Sequence, residues 1–133
     1  MLKYLLDTNI VIYVIKRRPA EILEPFNANA SRMAISTITL AELMHGVEKS
    51  SQPEANFRVV EDFCSRLDVL PYTAKAALHY GSIRAALERV GQPIGVNELH
   101  IAAQARSEGL VLVTNNLGEF SRVPALQVEN WVS

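Results

Sequence analysis

Four acids stand far apart in this 133-residue chain, each close to the end of a short apolar run. Asp7 follows Tyr4-Leu5-Leu6, Glu42 follows Met33–Ser36, Glu98 precedes the run Leu110–Thr114, and Glu119 follows that run with Asn116 just before it. Like charges gathered in one place cost free energy unless something positive sits among them. A hard divalent cation such as Mg²⁺ or Mn²⁺ would do so, because it takes oxygen ligands and keeps several waters. Carboxylates holding such an ion suit phosphodiester hydrolysis, where the metal activates a water and neutralises charge on the phosphate.

Each acid also has a plainer use. Asp7 is a good helix N-cap for the segment behind it. Thr39-Leu-Ala-Glu42 reads as a capping box, in which hydroxyl and carboxylate satisfy backbone donors reciprocally. Asn97-Glu98 fits a cap followed by a first-turn acid, Asn115-Asn116 fits a turn, and Glu119 fits a solvated surface position. Capping and metal binding are compatible, so the decision rests on where the elements put the four acids.

Short runs rich in Leu, Ile and Val alternate with longer stretches of helical period. Strands are predicted at Lys3–Leu6, Met33–Ser36, Leu67–Leu70 and Leu110–Thr114, with a last edge strand at Val128–Val132. Helices are predicted over Asn9–Arg17, part of Ala20–Ala30, and Leu40–Lys49. A further helix starts at Pro53, with Phe57, Val60, Cys64 and Leu67 on one face. Thr73–Val90 carries Ala76, Tyr80, Ile83, Leu87 and Val90 at helical spacing and closes at Gly91; Glu98–Glu108 closes at Gly109. Strands separated by helices imply an α/β fold, a parallel sheet of four to five strands with helices on both faces, and no linker divides residues 1–133. Ligands of such sheets collect beyond the carboxyl ends of the strands. All four acids and Asn116 are expected at that edge, which capping alone leaves unexplained.

Composition narrows the class. Apolar residues make up 49% of the chain and charged residues 20%, with a formal net charge of −1, so no global basic field advertises nucleic acid. A local enzyme site stays open. The single cysteine, Cys64, excludes an intrachain disulfide and reads as a buried thiol. Asp7 cuts the N-terminal apolar run before a signal peptide can form, and no run is long enough to cross a bilayer, so a cytoplasmic protein is expected. His45, His79 and His100 have no zinc-site spacing, and no phosphate-cradling glycine loop is present. Lys16-Arg17-Arg18 suits a helix C-terminus and an RNA backbone equally.

The segments LLDTNIVI, ISTITLAELMHGVEKS, QPIGVNELHIAAQA, GLVLVTNNLGEF and ENW, in that order, resemble the PIN-domain ribonuclease toxins called VapC. The resemblance implies a PIN-like α/β/α sandwich, Mg²⁺- or Mn²⁺-dependent cleavage of structured RNA such as tRNA, and a VapB-like antitoxin that blocks the groove. It further implies a homodimer and a larger toxin–antitoxin assembly that binds promoter DNA through the antitoxin. By the same resemblance the acidic positions fall on Asp7, Glu42, Glu98 and Glu119. Asp7 and Glu98 stand first as metal ligands, with Glu42 and Glu119 bonding directly or through water. Thr8, Asn9, Thr114 and Asn116 match the supporting polar residues. One position departs from the pattern: Glu98 stands where the family usually has aspartate. That departure leaves an alternative, a catalytically weak subunit acting mainly as partner of a DNA-binding antitoxin.

Overall fold

The computed structural model describes residues 1–132. In chain order it contains β1 (Tyr4–Leu6), α1 (Thr8–Lys16), a 3-10 turn (Ala20–Ile22), α2 (Leu23–Ala28), β2 (Met33–Ser36), α3 (Thr37–Glu48) and α4 (Pro53–Cys64). There follow β3 (Asp68–Leu70), α5 (Ala74–Arg89), α6 (Val96–Glu108), β4 (Val111–Val113), α7 (Leu117–Phe120) and β5 (Val128–Glu129). The five strands form one sheet in the order β3-β2-β1-β4-β5, and every neighbouring pair is parallel.

The alternation along the strands explains the two layers. Successive side chains of a strand point to opposite faces. Tyr4 and Leu6, Met33 and Ile35, and Val113 join one core with Ile10 and Val14 of α1, Leu43 and Val47 of α3, and Val60 and Phe63 of α4. Leu5, Ala34 and Leu112 join the other, with Ile83 and Leu87 of α5, Leu99 and Ala102 of α6, and Phe120 of α7. A strand buried on both faces has no polar side, which is why β1 reads as an unbroken apolar run.

Several boundaries differ from the sequence reading. Helix α3 begins three residues before Leu40, because Ser36 accepts a hydrogen bond from the Ile38 N–H and caps it. Glu42 therefore lies in the second turn, and Thr39 is an interior residue whose hydroxyl does not form the expected capping box. Phe57 points outward at 44% exposure and Val90 is the exposed residue that ends α5, so neither belongs to the apolar face assigned to it. Cys64 is half-buried. The last strand stops at Glu129, and α7 was not anticipated. No helix among the described residues is long and apolar enough to cross a membrane.

Candidate active site

Strand order reverses direction at the β1/β4 boundary: β2 and β3 lie to one side of β1, β4 and β5 to the other. This switch point opens a crevice beyond the carboxyl ends of the two strands. Asp7 leaves β1 into that crevice and Thr114 leaves β4 beside it. The Asp7 N–H donates to the Val113 carbonyl at 2.9 Å, so the two strand ends are stitched at the point where the acid emerges.

Asp7 is 5% exposed and fully committed. Its Oδ1 accepts from the Thr8 N–H at 2.8 Å, capping α1, and its Oδ2 accepts from the Thr114 hydroxyl at 2.9 Å. The Thr114 oxygen accepts in turn from the Asn116 N–H at 2.9 Å. Burial raises the Asp7 pKa, the Thr114 and Thr8 hydrogen bonds pull it back, and the charges of Glu42 and Glu119 raise it again. Cap and cluster member are thus one residue.

Across the crevice, the Thr8 hydroxyl donates to Glu42 Oε1 at 2.7 Å and lies 3.0 Å from the Thr39 hydroxyl. Sequence reasoning assigned Thr39 to a cap; its place in a TITLAE helix start, one turn before Glu42, was the available signal. From the other side Glu98 projects from the third residue of α6, behind its N-cap Gly95. It lies against Glu119 of α7, and a proton shared with Glu119, burial, and the charges of Glu119 and Asp7 together raise the Glu98 pKa to about 7. When both are ionised that hydrogen bond is lost. One oxygen of each, Glu98 Oε2 and Glu119 Oε2, is buried and receives no hydrogen bond from any other group.

Asp7, Thr8, Asn9, Glu42, Glu98 and Asn116 line one cleft of about 260 Å³, joined by Ile12, Asn97 and Ile101. The sequence reading had placed none of these last three at the site, and their helical spacing alone marks them as core or cap. Glu119 does not line the cleft; it backs Glu98. Thr114 is buried beneath Asp7. Lys16, Arg17 and Arg18 end α1, about 13 Å from Asp7 along the helix axis at 1.5 Å per residue. His100 is engaged elsewhere, 2.8 Å from the Tyr72 hydroxyl and stacked on Tyr80.

Among the described residues no group of three or more His, Cys, Asp or Glu side chains stands close enough together to hold a metal ion by itself. What the cleft supplies is oxygen ligands, crowded acids of which Asp7 and Glu98 have raised pKa values, and behind them the buried Glu98–Glu119 carboxyl pair. That donor set fits a hard divalent cation and not a thiophilic one.

A PIN-domain family model matches residues 4–126. The chain is 64% identical over 132 residues to "Ribonuclease VapC2" of Haemophilus influenzae, covering 99% of this chain and 100% of that protein. It is 56% identical to the "tRNA(fMet)-specific endonuclease VapC" of Salmonella typhimurium, over 98% of this chain and 99% of the relative. The crystal structure of DNA-bound VapBC from Salmonella typhimurium superposes with a TM-score of 0.95 at 55% identity, covering 99% of this chain and 100% of that one. PIN-domain nucleases are generally metal-dependent. Fold, acidic cleft and likeness converge: the chain belongs to the VapC ribonuclease toxins, PIN-domain members of VapBC toxin–antitoxin systems.

Proposed function

We propose that this chain cleaves tRNA, tRNA(fMet) first among candidates, with Asp7, Glu42, Glu98 and Glu119 as its acidic site and Thr8, Asn9, Thr114 and Asn116 as supporting polar residues. The observation that carries the reading is the convergence of Asp7, Glu42, Glu98 and Asn116, remote in sequence, on one cleft at the switch point. The substrate follows from relatives 56% and 54% identical that are named for tRNA(fMet).

Asp7 and Glu98 would hold Mg²⁺ or Mn²⁺, with Glu42 and Glu119 bonding directly or through water. When bound, the cation supplies Lewis-acid polarisation of the phosphate and lowers the pKa of an attacking water. The chain does the rest. Thr114 fixes the Asp7 carboxylate and favours its charged form; Thr8 holds Glu42 facing the cleft; Asn9 and Asn116 offer amide donors and acceptors at the rim, where RNA would lie.

The partner would be a VapB-like antitoxin. A groove of about 360 Å³ lined by Ile12, Ile15, Leu43, Val47 and Val60 opens onto Thr8 and Glu42. An apolar antitoxin segment would fill it and place an arginine among the carboxylates, where bidentate pairing suits the geometry. Solved VapBC complexes of similar chains are described as bound to DNA, which supports promoter binding through the antitoxin. A homodimer belongs to the same reading. The chain would work as one domain in the cytoplasm, beside its RNA.

The deciding experiment is incubation of the purified chain with total tRNA, with and without Mg²⁺, and mapping of fragment ends. Metal-dependent cuts confined to tRNA(fMet) are expected; intact tRNA with cleavage of another RNA overturns the substrate. Growth arrest on expression without the antitoxin separates the nuclease from the weak-subunit alternative.

A further inference from the structure

Six glycines occur in the chain, and one of them is unlike the rest. A Cβ added at Gly46, Gly81, Gly91, Gly109 or Gly118 would meet nothing within 4 Å. At Gly95 it would lie 3.2 Å from Glu98 Oε1 and 3.3 Å from Glu98 Cδ. Nor is glycine there for its backbone freedom, since Gly95 has φ −60° and ψ 152°, a conformation open to any residue. Beyond a backbone N–H that bonds Glu98, which any residue but proline would offer, this position supplies an absence of volume, and the neighbour using that space is the Glu98 carboxyl.

The reason lies in the length of the side chain. Glu98 is the third residue of α6 and folds back over the residue that caps the helix, as the acid of a capping box does. Glutamate is one methylene longer than aspartate, and folding back absorbs the extra reach. A Cβ at residue 95 would push the carboxylate by a few tenths of an ångström. The Glu119 carboxyl acts on the same group, and Glu98 Oε2 is buried.

We propose that Gly95 is a positioning residue: its missing Cβ is the slot that lets a glutamate, one carbon too long, present its carboxylate to the cleft. The inference rests on the reading of Glu98 as a metal ligand. It predicts energetic coupling between residue 95 and the length of residue 98. Side chains that act through one another are non-additive, and a double-mutant cycle measures this directly.

The test uses four proteins: the parent, Gly95→Ala, Glu98→Asp and the double variant. Two quantities are read, the rise in melting temperature across a Mg²⁺ titration and the single-turnover cleavage rate of tRNA. Gly95→Ala in the parent should raise the Mg²⁺ needed for half-maximal stabilisation about tenfold and slow cleavage by a similar factor, as sub-ångström misplacement does. In the Glu98→Asp background, where the carboxylate no longer reaches residue 95, the same change should cost at least about fivefold less. Equal losses in both backgrounds, or none in either, overturn the proposal. Gly95→Ser carries the same Cβ with a preferred N-cap side chain, and must reproduce the coupling if Gly95→Ala weakens the helix start. Glu98→Ala that keeps full metal stabilisation and cleavage would instead remove Glu98 from the site, and the slot with it. Coupling that fails while Glu98→Ala loses both leaves the metal reading standing and sinks only the role of Gly95.

Discussion

Thr114 and Asp7 are 107 residues apart in sequence and joined by a 2.9 Å hydrogen bond at the base of the cleft. The bond favours the charged carboxylate against the burial that opposes it. Thr114→Val, nearly the same in shape, removes the donor and should raise the Asp7 pKa further. The acidic limb of the rate–pH profile should then move to higher pH, while Thr114→Ser restores it. A profile identical to the parent's would mean that the hydroxyl does not tune Asp7.

Asp7→Asn tests the same residue from the other side. Asparagine caps a helix about as well as aspartate, so the fold should hold. Relief of a buried acid should leave the metal-free melting temperature equal or higher. On the proposed role of Asp7 in holding a divalent cation, cleavage should fall by orders of magnitude. An Asn variant that cuts tRNA like the parent would reduce Asp7 to a cap.

The acid pair makes the metal-free protein pH-sensitive. The Glu98 pKa is raised from 4.5 to about 7 in the folded chain, so between those values the native state holds a proton that the unfolded state has lost. Stability is then greatest below about 4.5 in this respect and declines as pH rises toward 7. Divalent cations should reverse the decline, adding about 2.7 kcal/mol at a hundredfold their dissociation constant. Melting curves at several pH values, with EDTA and with Mg²⁺, check both signs.

Thr8 ties Glu42 to the cleft through a 2.7 Å hydrogen bond. Thr8→Val should leave the melting temperature within a few degrees but slow single-turnover cleavage about ten- to a hundredfold, because the carboxylate is no longer held. Thr8→Ser keeps a hydroxyl and should recover most of the rate. Slow cleavage by the serine variant would point to the lost methyl instead.

Much of this was legible beforehand. Unbroken apolar runs at β1 and β4 declare strands buried on both faces, and Asp7 ending the first one places it at a carboxyl edge. The elements harder to read were those decided by tertiary context. Helix α7 spans four residues, too few for a periodic signal, and is held by Phe120, which is fully buried. Glu42 sits a turn deeper than its capping-box pattern suggests, because Ser36 captures the cap first. Phe57 and Val60 look alike in a hydrophobic pattern, yet only Val60 reaches the core. The pairing of Glu98 with Glu119 joins two short segments whose relative placement no local pattern encodes.

Phe120 links that anchoring to the site. Phe120→Ala should cost about 3–5 kcal/mol, the usual range for emptying a buried aromatic site. Because Glu119 precedes it on α7, the variant should also need more Mg²⁺ for the same stabilisation, whereas Phe120→Leu should lose less of both. Thermal unfolding with a Mg²⁺ titration measures the two effects together.

The sheet order has a consequence for the timing of synthesis. β1 lies at the centre, yet its neighbour on the catalytic side is β4, which begins only at Val111. A chain emerging from the ribosome exposes Asp7 first and must wait for 107 further residues before Thr114 can meet it. Glu119 arrives later still. Chains ending before Val111 should therefore be inert toward RNA, since the pieces that fix Asp7 and back Glu98 have not been made. The acidic cleft is thus assembled only once β4 and α7 have been made, long after Asp7 itself.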